Sequence, residues 1–325
     1  EVQFLTSKIP VKEKKLIYQN IAEGKTKIII GTHAVFQEGV TYKDLSLVIY
    51  DEQHRFGVSQ RLKLKEKAED YPHQLLLSAT PIPRTMAMGV LSGLDISTIK
   101  SLPPNRTPIV TTTLPNNRRD ALINRIKSAI NKNSQVYWVC PLIDESESEL
   151  IGIEDLEKIL KKEFDSQDYE IIHGKMKDMD KQKILSDFKE KKTKILLATT
   201  VIEVGIDVPD ANIMVIENSE RFGLAQLHQL RGRVGRGEKE SFCILMHNDS
   251  LTELPEKRLQ IITETNDGFV IAEEDLKLRG PGDILGLSQT GQPSFTFFDL
   301  LANEELQGEA ERLAQEVIKL SLIHI

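Results

Sequence analysis

The chain has 325 residues, 40% hydrophobic and 6% aromatic, with a formal net charge of -7, which allows two domains of ordinary size and excludes a small histone-like basic protein, though one face can still be positive. Its two cysteines, Cys140 and Cys243, lack CxxC or Cys/His spacing; this points away from a disulfide framework or zinc site and towards a reducing cytoplasm. No stretch approaches the ~20 continuous apolar residues that span a bilayer, and no signal-peptide pattern opens the chain.

The chain begins at Glu1 in a strand pattern, Val2 to Leu5, and ends at Ile325 just past a helical one, so both ends read as cuts through a longer protein. Runs rich in Val, Ile and Leu at Lys27 to Ile30, Leu45 to Tyr50 and Gln74 to Leu77 predict buried strands, with helical stretches between them. That alternation is the signature of βαβ units and a mostly parallel sheet. Ser101 to Pro108 interrupts it with three prolines, Pro103, Pro104 and Pro108, which disfavour helix and central strand alike. A second series follows, with strands at Ile109 to Thr113, Gln135 to Val139, Glu170 to Ile172, Lys194 to Ala198, Ile213 to Ile216 and Ser241 to Leu245. Helices are expected at Arg118 to Ile130, Ile153 to Phe164 and Lys177 to Glu190. Beyond about residue 250 the sequence is charged and helix-prone, broken by Arg279-Gly-Pro-Gly-Asp283. The expected organisation is therefore α/β: a first domain over 1–103, a second over 104–250, and a smaller element over 251–320.

Several segments carry chemistry. Asp51-Glu52 follows the apolar run Leu45 to Tyr50, placing two carboxylates at the C-terminal lip of a strand, where open α/β sheets bind ligands. One carboxylate can hold Mg²⁺ through water and the next can orient the water that attacks a γ-phosphate. A helix cap or solvated loop would explain these residues equally well if they stood alone. Ser78-Ala-Thr80 also leaves a strand end, and a turn would account for it by itself. Ala198-Thr199 begins a segment in which Gly205 permits close backbone approach and Asp207 offers an acceptor. The sharpest signal is Gln229-Leu-Arg231-Gly-Arg233-Val-Gly-Arg236-Gly237, where guanidinium groups suited to phosphate oxygens are spaced by glycines after a helix.

Asp51-Glu-Gln-His54, Ser78-Ala-Thr80, the Thr199 to Asp207 segment and Gln229 to Arg236 occur in the order and approximate spacing of superfamily-2 helicase motifs II, III, V and VI. Gly31-Thr32-His33-Ala34 resembles motif Ib, and Val136 to Ser146 lies where motif IV belongs. Within that superfamily, Asp51 to Val58 and the tail Glu274 to Gly291 resemble RecG-type helicases and their relative, the transcription-repair coupling factor. Gln53, Cys140-Pro-Leu-Ile143, His173-Gly-Lys-Met176 and Arg279-Gly-Pro-Gly282 favour the RecG type, and the resemblance runs from about residue 1 to residue 315.

The resemblance implies two RecA-like (P-loop NTPase) parallel-sheet domains, the first incomplete, followed by a helical hairpin and loop that couples ATP-driven closure to DNA movement. It implies ATP and Mg²⁺ as cofactors, with Asp51 on the metal, Glu52, Arg233 and Arg236 in catalysis, and Gly205, Asp207 and Gln229 at the nucleotide. Thr32, His54, Ser78, Thr80, Arg84, Thr199, Arg279 and Gln289 would contact DNA or couple to it. The implied partner is branched double-stranded DNA, with single-stranded DNA-binding protein as a further one; the implied setting is a monomer in the bacterial cytoplasm, away from membranes. Two other readings remain open: a coupling-factor translocase, and a DNA-binding clamp without turnover.

Gly24-Lys25-Thr26 is a tempting phosphate loop. The pattern GxxxxGK[ST] requires Gly at position 19, which is Gln19, and the triplet precedes its strand instead of following one. Gly24 reads as a helix C-cap. The phosphate loop is expected upstream of Glu1, which predicts an unpaired strand edge in the first domain, autonomous folding of residues 106–250 and a loose 1–100.

Overall fold

The computed structural model describes residues 1–52, 64, 67, 72–78, 95–99, 101, 106–141, 151–199, 208, 210–237, 239–279, 309–310, 312–314 and 316–318. Its chain divides into two compact units, Glu1–Ala79 and Thr80–Ile325.

In the first unit β1 (Val2–Leu5) pairs in parallel with β2 (Ile28–Gly31) through helix α1 (Val11–Ala22), and β3 (Leu47–Tyr50) pairs in parallel with β4 (His73–Leu76). The two pairs are separate sheets among the described residues. Ile17 and Ile21 recur four apart on α1 and pack on Leu5, Ala34 and Val40, while Phe36, Val48, Tyr50 and Leu64 form a second small core. Alternate strand residues, Phe4, Ile28, Leu47 and Ile49 among them, are more than half exposed.

The second unit holds a six-stranded sheet, all parallel, in the order β5-β10-β9-β6-β8-β7. Its strands are β5 (Ile109–Pro115), β6 (Gln135–Val139), β7 (Tyr169–Ile172), β8 (Ile195–Ala198), β9 (Ala211–Ile216) and β10 (Ser241–His247). β6, β8 and β9 are buried at every residue because both sheet faces are covered, so their sequences run continuously apolar instead of alternating. One face, with Tyr137, Leu196, Ala198 and Met214, packs on Ile184 and Phe188 of α4 (Asp178–Lys189) and on Leu224, Leu227 and Leu230 of α5 (Leu224–Arg231). The other, with Val136, Trp138, Leu197 and Val215, packs on α2 (Arg119–Ile130) and α3 (Ile151–Glu163). On α2 the buried residues are Leu122, Ile123, Ile126 and Ile130, the stripe of a helix lying on a sheet. Two further helices, α6 (Glu253–Glu264) and α7 (Gly268–Arg279), close the described part of the unit against α5. Every strand and helix expected from the sequence in the second series is present, with ends shifted by one or two residues.

Candidate functional site

The acidic pair leaves the first unit's second sheet at its C-terminal lip. Tyr50, 2% exposed, ends β3, and the Leu77 amide donates to its carbonyl at 2.8 Å, so Asp51-Glu52 and Leu77-Ser78 emerge from neighbouring strands side by side. Asp51 and Ser78 are exposed and Glu52 is half-buried with φ 51°. A non-glycine residue in the left-handed region stores strain of the kind that gathers at functional sites. Among the described residues no trio of metal-ligating side chains occurs; a lone exposed carboxylate suits Mg²⁺, which keeps its waters and leans on substrate phosphates instead of a protein cage. Thr32 is also exposed, at the end of β2, where its carbonyl accepts the Val35 amide at 3.1 Å and opens a short 3₁₀ turn, His33–Phe36. His54, Thr80, Arg84, Gly205, Asp207 and Gln289 lie outside the described residues, as does the Arg279 side chain.

Gly24 closes α1 as expected. It has φ +71°; its amide donates to the Ile21 carbonyl at 3.0 Å and that of Lys25 to Asn20 at 2.9 Å, the paired bonds of a Schellman cap. Lys25 pairs with Glu23, and the Thr26 hydroxyl donates to Gln3 at 2.7 Å, so this triplet is occupied in ending a helix.

In the second unit Gln229 is half-buried on α5, and the chain leaves that helix through Gly232. Val234 is fully buried, and Gly235, at φ +77°, lies so close to Ile109 that a Cβ would stand 2.9 Å from its Cγ1. These two residues pin the turn to the sheet and fix the backbone that carries half-buried Arg233 and exposed Arg236. Arg106, which the sequence did not single out, donates to the Gly232 carbonyl at 3.3 Å; burial, and then the charge of Arg236, lower its pKa. An anion there would relieve that repulsion.

Arg231 corrects the reading of all three arginines as phosphate-seeking. It is 2% exposed and turned inward, donating to the carbonyls of Ile262 and Thr265, both at 2.8 Å, at the end of α6. Its Nη2 also lies 2.9 Å from His228 Nδ1. Burial, then Arg231 and Arg106, push the His228 pKa down to about 4, so the ring is neutral and accepts this bond. The helix preceding Arg233 is thereby tied to the first of the two helices that follow the sheet.

Beyond β9, Glu217 accepts from Arg119 through both oxygens, 2.8 Å at Oε2, and from Trp138 Nε1 at 2.9 Å. Sequence alone carries no signal for this trio. Both cysteines are buried, and burial raises their thiol pKa values, that of Cys243 to about 12, so neither is a ready nucleophile. Thr199 follows β8 and is fully buried.

A carboxylate lip in the first unit and a glycine-spaced arginine turn in the second are each features that known proteins share. Residues 2–88 match the family model for DEAD/DEAH box helicases and residues 117–238 that for the helicase conserved C-terminal domain, the two halves of a superfamily-2 motor. Residues 265–319 match the C-terminal part of domain 3 of ATP-dependent DNA helicase RecG. ATP-dependent DNA helicase RecG of Pasteurella multocida is 48% identical over 323 residues, 98% of this chain and 47% of its own. That of Escherichia coli K12 is 48% identical over 322 residues, 98% and 46% respectively. The solved structure of RecG bound to a three-way DNA junction superposes with TM-score 0.70 at 40% identity, covering 94% of this chain and 39% of that one. The chain belongs to the RecG family of superfamily-2 helicases, and it spans about half the length of the relatives it matches.

Proposed function

We propose that the whole protein is an ATP-dependent translocase and helicase of branched double-stranded DNA, stalled forks and Holliday-type junctions among its substrates, serving recombination and repair. The observation that carries this is the likeness, at 40% identity over 94% of the chain, to RecG on a three-way junction. The RecG-specific match over residues 265–319 favours this reading over the coupling factor. Functional segments 1–103, 104–250 and 251–320 would be the partial first RecA-like lobe, the second lobe and the translocation element.

Mg²⁺ and ATP, when bound, supply the phosphoryl group to be cleaved and the charge that holds its oxygens. Asp51 would hold the metal through water and Glu52 would orient the attacking water, its left-handed backbone presetting the carboxylate. Arg233 and Arg236 would bear on the γ-phosphate, and Gln229, Gly205 and Asp207 on the nucleotide. Thr32, His54, Ser78, Thr80, Arg84 and Thr199 would contact DNA or relay motion, with Arg279 and Gln289 in the translocation element. The same reading includes a cytoplasmic monomer and single-stranded DNA-binding protein as a further partner.

The test is strand separation of a three-way junction by the product of the full open reading frame that contains this chain. ATP-dependent unwinding lost in Glu52→Gln is expected. Binding without unwinding, or unwinding indifferent to Glu52→Gln, would overturn the proposal.

A further inference from the structure

Arg106 has no part in the roles assigned above, yet its contacts tie it to the arginine turn. Its Nη2 donates to the Gly232 carbonyl at 3.3 Å, and Ile109, three residues further on, is the side chain against which Gly235 is closed. These two contacts bracket one stretch of backbone. Residues 106–109, which lead into β5, run alongside residues 232–235 in the same direction, and Arg106 stands where the chain enters the turn that carries Arg233 and Arg236. All of these residues belong to the second unit.

The bond to Gly232 does not explain why an arginine is there. At 3.3 Å it is longer than the usual ~2.7–3.2 Å, it uses one of the five N–H groups of a guanidinium, and a glutamine could make it. The position is also unfavourable for a charge. Arg106 is half-buried, and burial first, then the charge of Arg236, lower its pKa. No carboxylate among the described residues pairs with it. His228, one helical turn before Gly232, is neutral with a pKa near 4, held down in part by Arg106, and adds no charge of its own. Like charges held together destabilise the empty protein and become favourable once an anion lies between them. The site is open to such an anion, since Arg236 is exposed and Arg106 and Arg233 are only half-buried. Planar guanidinium forks match the oxygens of a phosphate in pairs, a capacity that one bond to a carbonyl leaves unused.

We propose that Arg106 is a third phosphate-contacting arginine, sharing the terminal phosphate of ATP with Arg236 while its bond to Gly232 sets its direction. The inference rests on the nucleotide reading above and adds to it a residue outside the arginine motif. Two experiments test it. In the 325-residue chain without nucleotide, Arg106→Gln should leave the melting temperature equal or higher at low salt, because glutamine can keep the Gly232 bond while the repulsion with Arg236 disappears. Added salt should erase any gain. In the product of the full open reading frame, titrated by calorimetry with a non-hydrolysable ATP analogue and with ADP, the same substitution should weaken the analogue about tenfold, as loss of a hydrogen bond to a charged group does. Affinity for ADP should hardly change. Arg106→Lys, which keeps the charge without the fork, should fall between, and Arg106→Gln with Arg236→Gln should lose much less than the product of the two single losses. A lower melting temperature, equal losses for the analogue and ADP, multiplicative losses in the double variant, or unchanged affinity for the analogue would each overturn the shared phosphate while leaving the nucleotide reading intact. No binding of the analogue by the unsubstituted protein would instead overturn the nucleotide reading, and this contact with it.

Discussion

Replacing Arg231 by Ala removes the side chain that ties α5 to the end of α6. The carbonyls of Ile262 and Thr265 each accept from its guanidinium at 2.8 Å in a site where Arg231 is 2% exposed. Leaving a buried acceptor unpaired costs about 1–3 kcal/mol, so two cost roughly 2–6 kcal/mol. Against this stands the burial of the guanidinium itself, which is unfavourable enough to lower its pKa and is relieved by the substitution. A net loss of about 3 kcal/mol follows, a fall in melting temperature of roughly 6–12 °C for a unit of this size. Arg231→Lys should recover less than half, since an ammonium on a single stem cannot span both carbonyls and His228 as a planar fork does. Thermal melting by circular dichroism gives the total, and hydrogen exchange shows where it acts: amides of α6 and α7 should lose protection before those of β6 and β8. A melting temperature within about 2 °C of the unsubstituted chain, or exchange that rises uniformly, would refute the claim that Arg231 holds these helices.

Three further outcomes follow from the same geometry. The His228 pKa lies near 4, below the 6.5 of the unfolded chain, so the unfolded state takes up more protons between these values and stability falls as pH drops from about 6.5 towards 4. The full effect is about 3 kcal/mol; urea midpoints of His228→Gln should show a shallower slope across that window, and an unchanged slope would remove His228 as its cause. Glu217→Ala strands a half-buried Arg119 and should cost about 3 kcal/mol, with a change in the emission of Trp138, the single tryptophan; Glu217→Gln, which can keep the indole bond, should change that emission less. Lys25→Ala should leave both ATP affinity and melting temperature unaltered because its exposed pair with Glu23 contributes little, whereas Gly24→Ala should cost about 1 kcal/mol for its left-handed backbone. Loss of ATP binding in Lys25→Ala, measured by calorimetry, would return this triplet to the nucleotide site.

Much of the architecture was legible because it rests on local rules. In the second unit continuous apolar runs marked strands covered on both faces and four-residue recurrences marked helices that cover them, whereas the first unit's apolar runs, expected to be buried, form strands that leave Ile28, Leu47, Ile49 and Leu75 exposed; the failed spacing at Gln19 identified Gly24 as a cap instead of a phosphate loop. Asp51 and Glu52 could be placed at a strand's lip because they directly follow an apolar run of strand length, and motif order then carried the family. What the sequence could not reveal was which polar side chains would be consumed inside. Arg231, Arg233 and Arg236 look alike along the chain, yet only Arg231 is turned into the core, because the open carbonyls that receive it belong to residues 31 and 34 positions away. Glu217 is joined to partners 79 and 98 residues distant, and His173 stands beside Thr199 only through the pairing of β7 with β8. Periodicity and turn chemistry act between near neighbours and are written in sequence. The satisfaction of a buried charge or hydrogen bond depends on whichever group packing brings within about 3 Å, and that was decided only when the sheet closed between its helices.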